Sequence, residues 1–177
     1  IDAMLEIVDV HKEEDYVVGW VDCISSGRML GRGVVHTARH LPVGKIHAQP
    51  VVEDPCAHGL PTALFGVLPR DRVWHILRIL NRRVGWQLIN SVRYYSGVIR
   101  DGHIFARSLP QFNFLLDYVP HWRRAFLPGG FIQYQCFIPS ENSARTFRTV
   151  LRRCLERGLC AHLGVLKRHR ADEFLVS

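Results

Sequence analysis

Apolar positions change period twice within the first forty residues. From Asp2 to Val10, Met4, Ile7 and Val8 recur at the spacing of one helix face, and the charged run Lys12-Glu13-Glu14-Asp15 ends the pattern. Tyr16 to Cys23 is then rich in β-branched and aromatic residues, Ser25-Ser26-Gly27 supplies a turn, and Met29 to Thr37 is strand-like again. The two runs predict an antiparallel hairpin. Periodicity is lost between residues 41 and 70, a proline-rich stretch that reads as a long surface or lid connection. Asp71 is placed to cap a helix with Val73, Trp74, Leu77 and Leu80 on one stripe, continued or followed by Trp86 to Tyr95. A short strand is expected at His103 to Arg107, and a turn or two of helix around Asp117 to Arg124.

The last third has the sharpest pattern. Phe131 to Ile138 reads as an uninterrupted strand between Pro128-Gly129-Gly130 and Pro139. Ser140 is placed to cap a helix whose stripe is Ala144, Phe147, Val150, Leu151, Cys154 and Leu155, and Gly158 stands where a left-handed C-cap falls. Ala161 to Lys167 follows as a second strand. Strand, helix and strand in this order predict an α+β fold, a mostly antiparallel sheet with helices packed on one face.

Side chains alternate along a strand, so Phe131, Gln133, Gln135 and Phe137 would share one face, with Ile132, Tyr134, Cys136 and Ile138 turned to the helix stripe. By the same rule Leu163, Val165 and Lys167 share a face. An unpaired buried amide costs about 1 to 3 kcal/mol, so the two glutamines must reach water or a specific partner. Periodicity leaves two readings open: a pocket of two amides and an ammonium among apolar walls, suited to an oxygen-rich ligand, or a solvated face whose Lys167 begins a basic cluster.

Length and composition narrow the class. A chain of 177 residues predicts a single domain spanning 1–177, and 47% apolar with 22% charged residues is a globular composition. Its start at Ile1 and its end within Phe174-Leu175-Val176-Ser177 lead to the expectation of a piece excised from a longer polypeptide. No apolar run approaches the ~20 residues of a membrane-spanning helix. The net charge is +7, carried by arginines in short pairs such as Arg82-Arg83, Arg123-Arg124 and Arg152-Arg153. That scatter favours solvated helix faces, with a basic module binding RNA or another anionic partner as the alternative and nucleic acid the less favoured partner. Five cysteines without a CxxC pair argue for reduced thiols in the cytoplasm. His36 and His40 form the one helix-spaced histidine pair, with no third ligand beside it, so no metal site is expected. No phosphate-loop, dinucleotide, nucleophile-elbow or zinc-protease motif occurs, and no acid and base pair stands out.

Four segments together carry a resemblance: Gly19-Trp20-Val21-Asp22, the run Gly27-Arg28-Met29-Leu30-Gly31-Arg32-Gly33, the stretch Phe131 to Pro139, and Leu163-Gly164-Val165-Leu166-Lys167. The chain resembles the substrate or cap domain of FAD-linked oxidoreductases of the vanillyl-alcohol-oxidase type, within them most the decaprenylphosphoryl-ribose 2-oxidase group. The segment Phe114 to Val119 is similar to that family's approach to the glutamine strand. The resemblance implies that FAD is held by a separate domain N-terminal to residue 1, with no cofactor bound by these residues themselves. It implies a pocket in which Gln133, Gln135, Leu163, Val165, Lys167 and Asn113 meet a small polar alcohol, an alditol, a sugar or a polyprenyl-phosphoryl sugar. The implied chemistry is hydride transfer from the carbinol carbon to the flavin, with Lys167 as the candidate catalytic group, assisting proton removal or orienting an anionic group. The implied location is cytoplasmic or membrane-associated, and the isolated chain is expected to be inactive.

Overall fold

The computed structural model describes residues 1–42, 63–64, 68–106, 112, 120–130, 132–159 and 161–168. Where the length predicts one domain, the chain gathers into two compact units: Ile1–His40 with Trp86–Asp101 and Gln135–Ser177, and Leu41–Gly85 with Gly102–Tyr134.

The first unit is built on a three-stranded antiparallel sheet ordered β2-β1-β5, with β1 at Tyr16–Val21, β2 at Gly33–Ala38 and β5 at Gly164–Lys167. The expected hairpin is present, with Val21 opposite Gly33 and Val18 opposite His36. Strand β5 joins the other side of β1, Leu166 opposite Gly19 and Lys167 opposite Val18. Alternation then separates two faces. On one, Val21 and Leu166 pack with Met4 and Val8 of α1 (Asp2–Val10) and Leu151 of α4 (Ser143–Glu156), and Phe147 and Val35 border this core. Fully burying each such aliphatic side chain contributes about 1.5 to 3 kcal/mol. Gly33 is required by close approach, since a Cβ there would lie 2.1 Å from the Trp20 carbonyl oxygen and 2.4 Å from Met4 Sδ.

On the opposite face α3 (Arg83–Ile99) lies over β1 and β2 and leaves β5 exposed. Arg93 lies over the buried Trp20 ring at 4.9 Å, and Gly97 lets the helix backbone down onto Val34, whose Cγ2 would be 2.6 Å from an added Cβ. The class is therefore α+β with an antiparallel sheet, as the sequence predicts, and its helices lie on both faces.

In the second unit, β3 (Ala63–Leu64) pairs antiparallel with β4 (Leu68–Pro69), and α2 (Val73–Ile79) packs on a 3-10 turn at Trp122–Phe126. The side-chain amide of Asn81 donates to the Ala125 carbonyl at 3.2 Å, and Arg124 lies over Trp74. Among the described residues of this unit, Val73 and Ala125 are buried.

Helix α4 starts later than the sequence suggests. Ser140–Asn142 forms a 3-10 turn, Asn142 stands at the N-cap with no side-chain cap bond, and the Ser143 hydroxyl donates to the Ser140 carbonyl at 2.7 Å, so Ser140 is not the cap the sequence predicts. Its end is as expected: Gly158 has φ +70° and donates to the Leu155 carbonyl, while the Leu159 amide reaches the Cys154 carbonyl. Two expected strands are absent. Residues 103–106 and 132–139 join no sheet, and Ile132 and Tyr134 are 96% and 81% exposed. Without a strand at 132–139, the expected succession of strand, helix and strand does not form. Composition alone marks a run as strand-prone, whereas a strand needs a ladder partner to satisfy its backbone.

Candidate functional site

Of the residues expected to line a pocket, β5 brings together Val165 and Lys167. Leu166 turns into the core, which leaves Val165 and Lys167 exposed on the opposite face, the face that also carries Trp20 and Val18 of β1. Leu163 precedes the strand and is 39% exposed. The glutamines correct the sequence reading: Gln133 and Gln135 are exposed on a segment outside any sheet, so strand alternation does not put them on the Lys167 face. Gln133 belongs to the second unit and Gln135 to the first. Asn113 lies outside the described residues, as do Phe131 and His103–Arg107's last position.

A second constellation, of which the sequence reading singled out only Asp22 and Arg32 as parts of a resemblance, lies at the end of β1. Asp22 is 0% exposed, and both carboxylate oxygens are fully used. Oδ1 accepts from the amides of Ile24 and Ser25 at 3.0 and 3.2 Å and from Asn90 Nδ2 at 2.9 Å. Oδ2 accepts from Ser25 Oγ at 2.6 Å and from Arg32 Nε at 2.9 Å. Burial pushes the carboxyl upward, but donors from Ser25, Ile24, Arg32 and Asn90 outweigh it and hold Asp22 below the usual carboxylate range. The guanidinium of Arg32 also donates to Ser91 Oγ at 2.8 Å and lies 4.7 Å from the Tyr94 ring centre. Asn90, 2% exposed, Ser91 and Tyr94 all come from α3, so this cluster ties the helix to the strand through polar contacts. A carboxylate already accepting five hydrogen bonds has no lone pair left for a substrate proton. Its chemistry is positional.

The local part of this cluster had a readable signal. Asp22 with Ser25 three residues on, directly after a strand, is the pattern of a side-chain-closed turn. Asn90, sixty-eight residues away, had none.

His162 stacks on Trp86 of α3 with ring centres 4.6 Å apart, and burial lowers its pKa. A shallow groove between α1 and α4 is lined by Asp2, Leu5, Glu6, Asp9, Val10, Ser143 and Ala144. Two of its three carboxylates are neutralised by ion pairs, Asp2 with Arg148 and Asp9 with Arg168, and the lining offers no basic side chain for the diphosphate of a dinucleotide, so this groove does not fit FAD. Among the described residues no three His, Cys, Asp or Glu side chains converge as a metal site, and no helix is long and apolar enough to cross a membrane. No family model matches the chain, and no solved structure matches it significantly.

Proposed function

We propose that this chain is the substrate-binding cap domain of an FAD-dependent oxidoreductase that oxidises a carbinol of a sugar, alditol or polyprenyl-phosphoryl sugar. The observation that carries the reading is the outward pair on β5: Val165 and Lys167 stand side by side on one face of an antiparallel sheet, an apolar wall next to an ammonium. Within this reading the chain holds the substrate, and the flavin, which would accept the hydride, is bound by a separate domain. Lys167 acts as a charged donor that orients a hydroxyl, carbonyl or phosphate oxygen, and Val165 shields the substrate carbon from water. The glutamines contribute only as exposed amides able to meet a ligand from outside the sheet.

The test uses the protein expressed from its complete reading frame. It should copurify with FAD, and anaerobic addition of sugar alcohols should bleach the flavin absorbance. Lys167→Met should then raise KM by about tenfold or more with a smaller change in kcat, the signature of lost ground-state binding. Absence of bound flavin, or flavin that no alcohol reduces, rejects the reading.

A further inference from the structure

Positive charge and exposed apolar surface coincide where α2 packs on the 3-10 turn Trp122–Phe126. Among the described residues of this second unit, Arg72, Arg78, Arg82, Arg83, Arg123 and Arg124 are all exposed, and Asp71 is the only acidic residue. None of the six guanidinium groups pairs with a carboxylate among the described residues. Two are held on rings instead: Arg123 lies 4.9 Å from the Trp122 ring centre and Arg124 lies 5.9 Å from that of Trp74. These two cations are ordered before any ligand arrives, so engaging them costs less side-chain entropy.

The apolar residues of α2 point two ways. Val73 is buried and Leu77 half-buried on one side, whereas helix periodicity puts Arg78 and Ile79 on the other, with Ile79 76% exposed. Val84, just past α2, and Leu127, just past the turn, are 75% and 59% exposed, so arginines and uncovered aliphatic side chains alternate along both segments. The outer face of α4 is the counter-example. Arg145, Arg152, Arg153 and Arg157 are exposed there too, but no large apolar residue of α4 is exposed and Arg153 pairs with Glu156. Arginine alone describes a solvated face. Arginine without counter-charge, beside exposed aliphatic residues and half-buried Trp74 and Trp122, describes one that rests at lipid headgroups: phosphates accept from the guanidinium groups and the acyl boundary takes the aliphatic side chains. A nucleic-acid backbone would satisfy the arginines and leave Ile79, Val84 and Leu127 in water.

We propose that this face of the second unit docks on the surface of an anionic lipid bilayer. The docking does not depend on the flavin reading, and either can fail without the other.

The protein expressed from its complete reading frame should sediment with phosphatidylcholine vesicles that contain phosphatidylserine and far less with phosphatidylcholine alone, and rising salt should release it. Changing Arg78, Arg82 and Arg123 together to Gln should weaken partitioning by about a hundredfold, roughly fivefold for each cation. Changing Arg145, Arg152 and Arg157 to Gln removes the same net charge from α4 and should weaken it by less than about threefold, which separates a docking face from general attraction. Ile79→Ser should cost about tenfold at every salt concentration, because aliphatic burial is not screened. Far-UV circular dichroism checks that each variant folds, and Arg78→Gln alone, with about a fivefold loss, replaces the triple variant should that one fail. Equal losses in the two triple variants overturn the proposal, as do equal binding to both kinds of vesicle and an Ile79→Ser variant that binds as before. Filter retention of RNA that the Arg78, Arg82 and Arg123 variant loses, with no binding to vesicles, assigns the face to nucleic acid and overturns it as well.

Discussion

Two strand-prone runs of similar composition end differently. Tyr16 to Cys23 lies between two strands, and its last residues are among the most buried in the molecule, Val21 at 7%, Asp22 at 0% and Cys23 at 6%. Residues 132–138 combine β-branched, aromatic and amide side chains just as well, yet they join no sheet and expose Ile132, Tyr134 and Phe137. The difference lies outside the runs themselves. The first has a hairpin partner in Gly33–Ala38, close in sequence, and a carboxylate at its end that gathers donors from its own turn, from Arg32 and from α3. The second has Pro139 immediately after it and pairs with no strand among the described residues. Local apolar content sets what a segment can become, and pairing sets what it is.

The comparison is broken most severely by removing the Asp22 carboxylate. Asp22→Ala leaves the buried Arg32 guanidinium without its counter-charge and strands the Asn90 amide, a loss of about 3 to 5 kcal/mol for a buried ion pair broken on one side. That is a large fraction of a typical domain's ~5 to 15 kcal/mol. Urea unfolding followed by tryptophan fluorescence should show the midpoint collapse, since Trp20 sits under Arg93 of the released helix. A change below about 1 kcal/mol would mean that α3 is held by something other than this cluster.

A gentler probe is pH. The folded Asp22 carboxyl lies below its ordinary value, so the unfolded chain takes up that proton first. Its contribution to stability is complete above the unfolded carboxylate pKa of about 4 and is lost as pH falls through the depressed folded value. Thermal unfolding between neutral and strongly acidic pH should therefore show a steep fall for the unmodified protein and a shallower one for Asp22→Asn, which has no such proton to take up. Parallel curves would show that other carboxylates, such as Glu14 paired with Arg39, account for the acid sensitivity.

These contrasts track what could be read in the sequence. Helix α1, the β1–β2 hairpin and the end of α4 at Gly158 were legible because each is decided within a few residues, by a 3.6-residue stripe, a turn between two β-rich runs, or a left-handed glycine. The face of Val165 and Lys167 was legible for the same reason, since alternation along β5 needs only the strand to exist. The glutamines failed because their face was defined relative to a strand, and residues 132–139 have no ladder. The Asp22 cluster escaped because two of its donors, Arg32 and Asn90, lie ten and sixty-eight residues away. Trp86 to Tyr95 reads only as a continuation of the preceding helix or one that follows it, and which side of α3 faces inward is not legible: an apolar stripe is ordinarily the buried one, and here a buried carboxylate claims the polar side.

The smallest effect is expected in the exposed run. Tyr134→Asn removes an aromatic ring that is 81% in water, and no hydrogen bond or ring contact of Tyr134 has to be replaced among the described residues. Its loss should leave unfolding stability within about 0.5 kcal/mol, the ordinary range for a surface substitution. Solubility should rise instead, because exposed strand-prone runs are templates for association between chains. Urea midpoints and light scattering on the same sample separate the two outcomes. A stability loss above about 1.5 kcal/mol would place the Tyr134 ring in a packed environment and erase the difference between the two runs, whereas unchanged stability with less scattering keeps the β1 end as structural core and residues 132–138 as exposed surface.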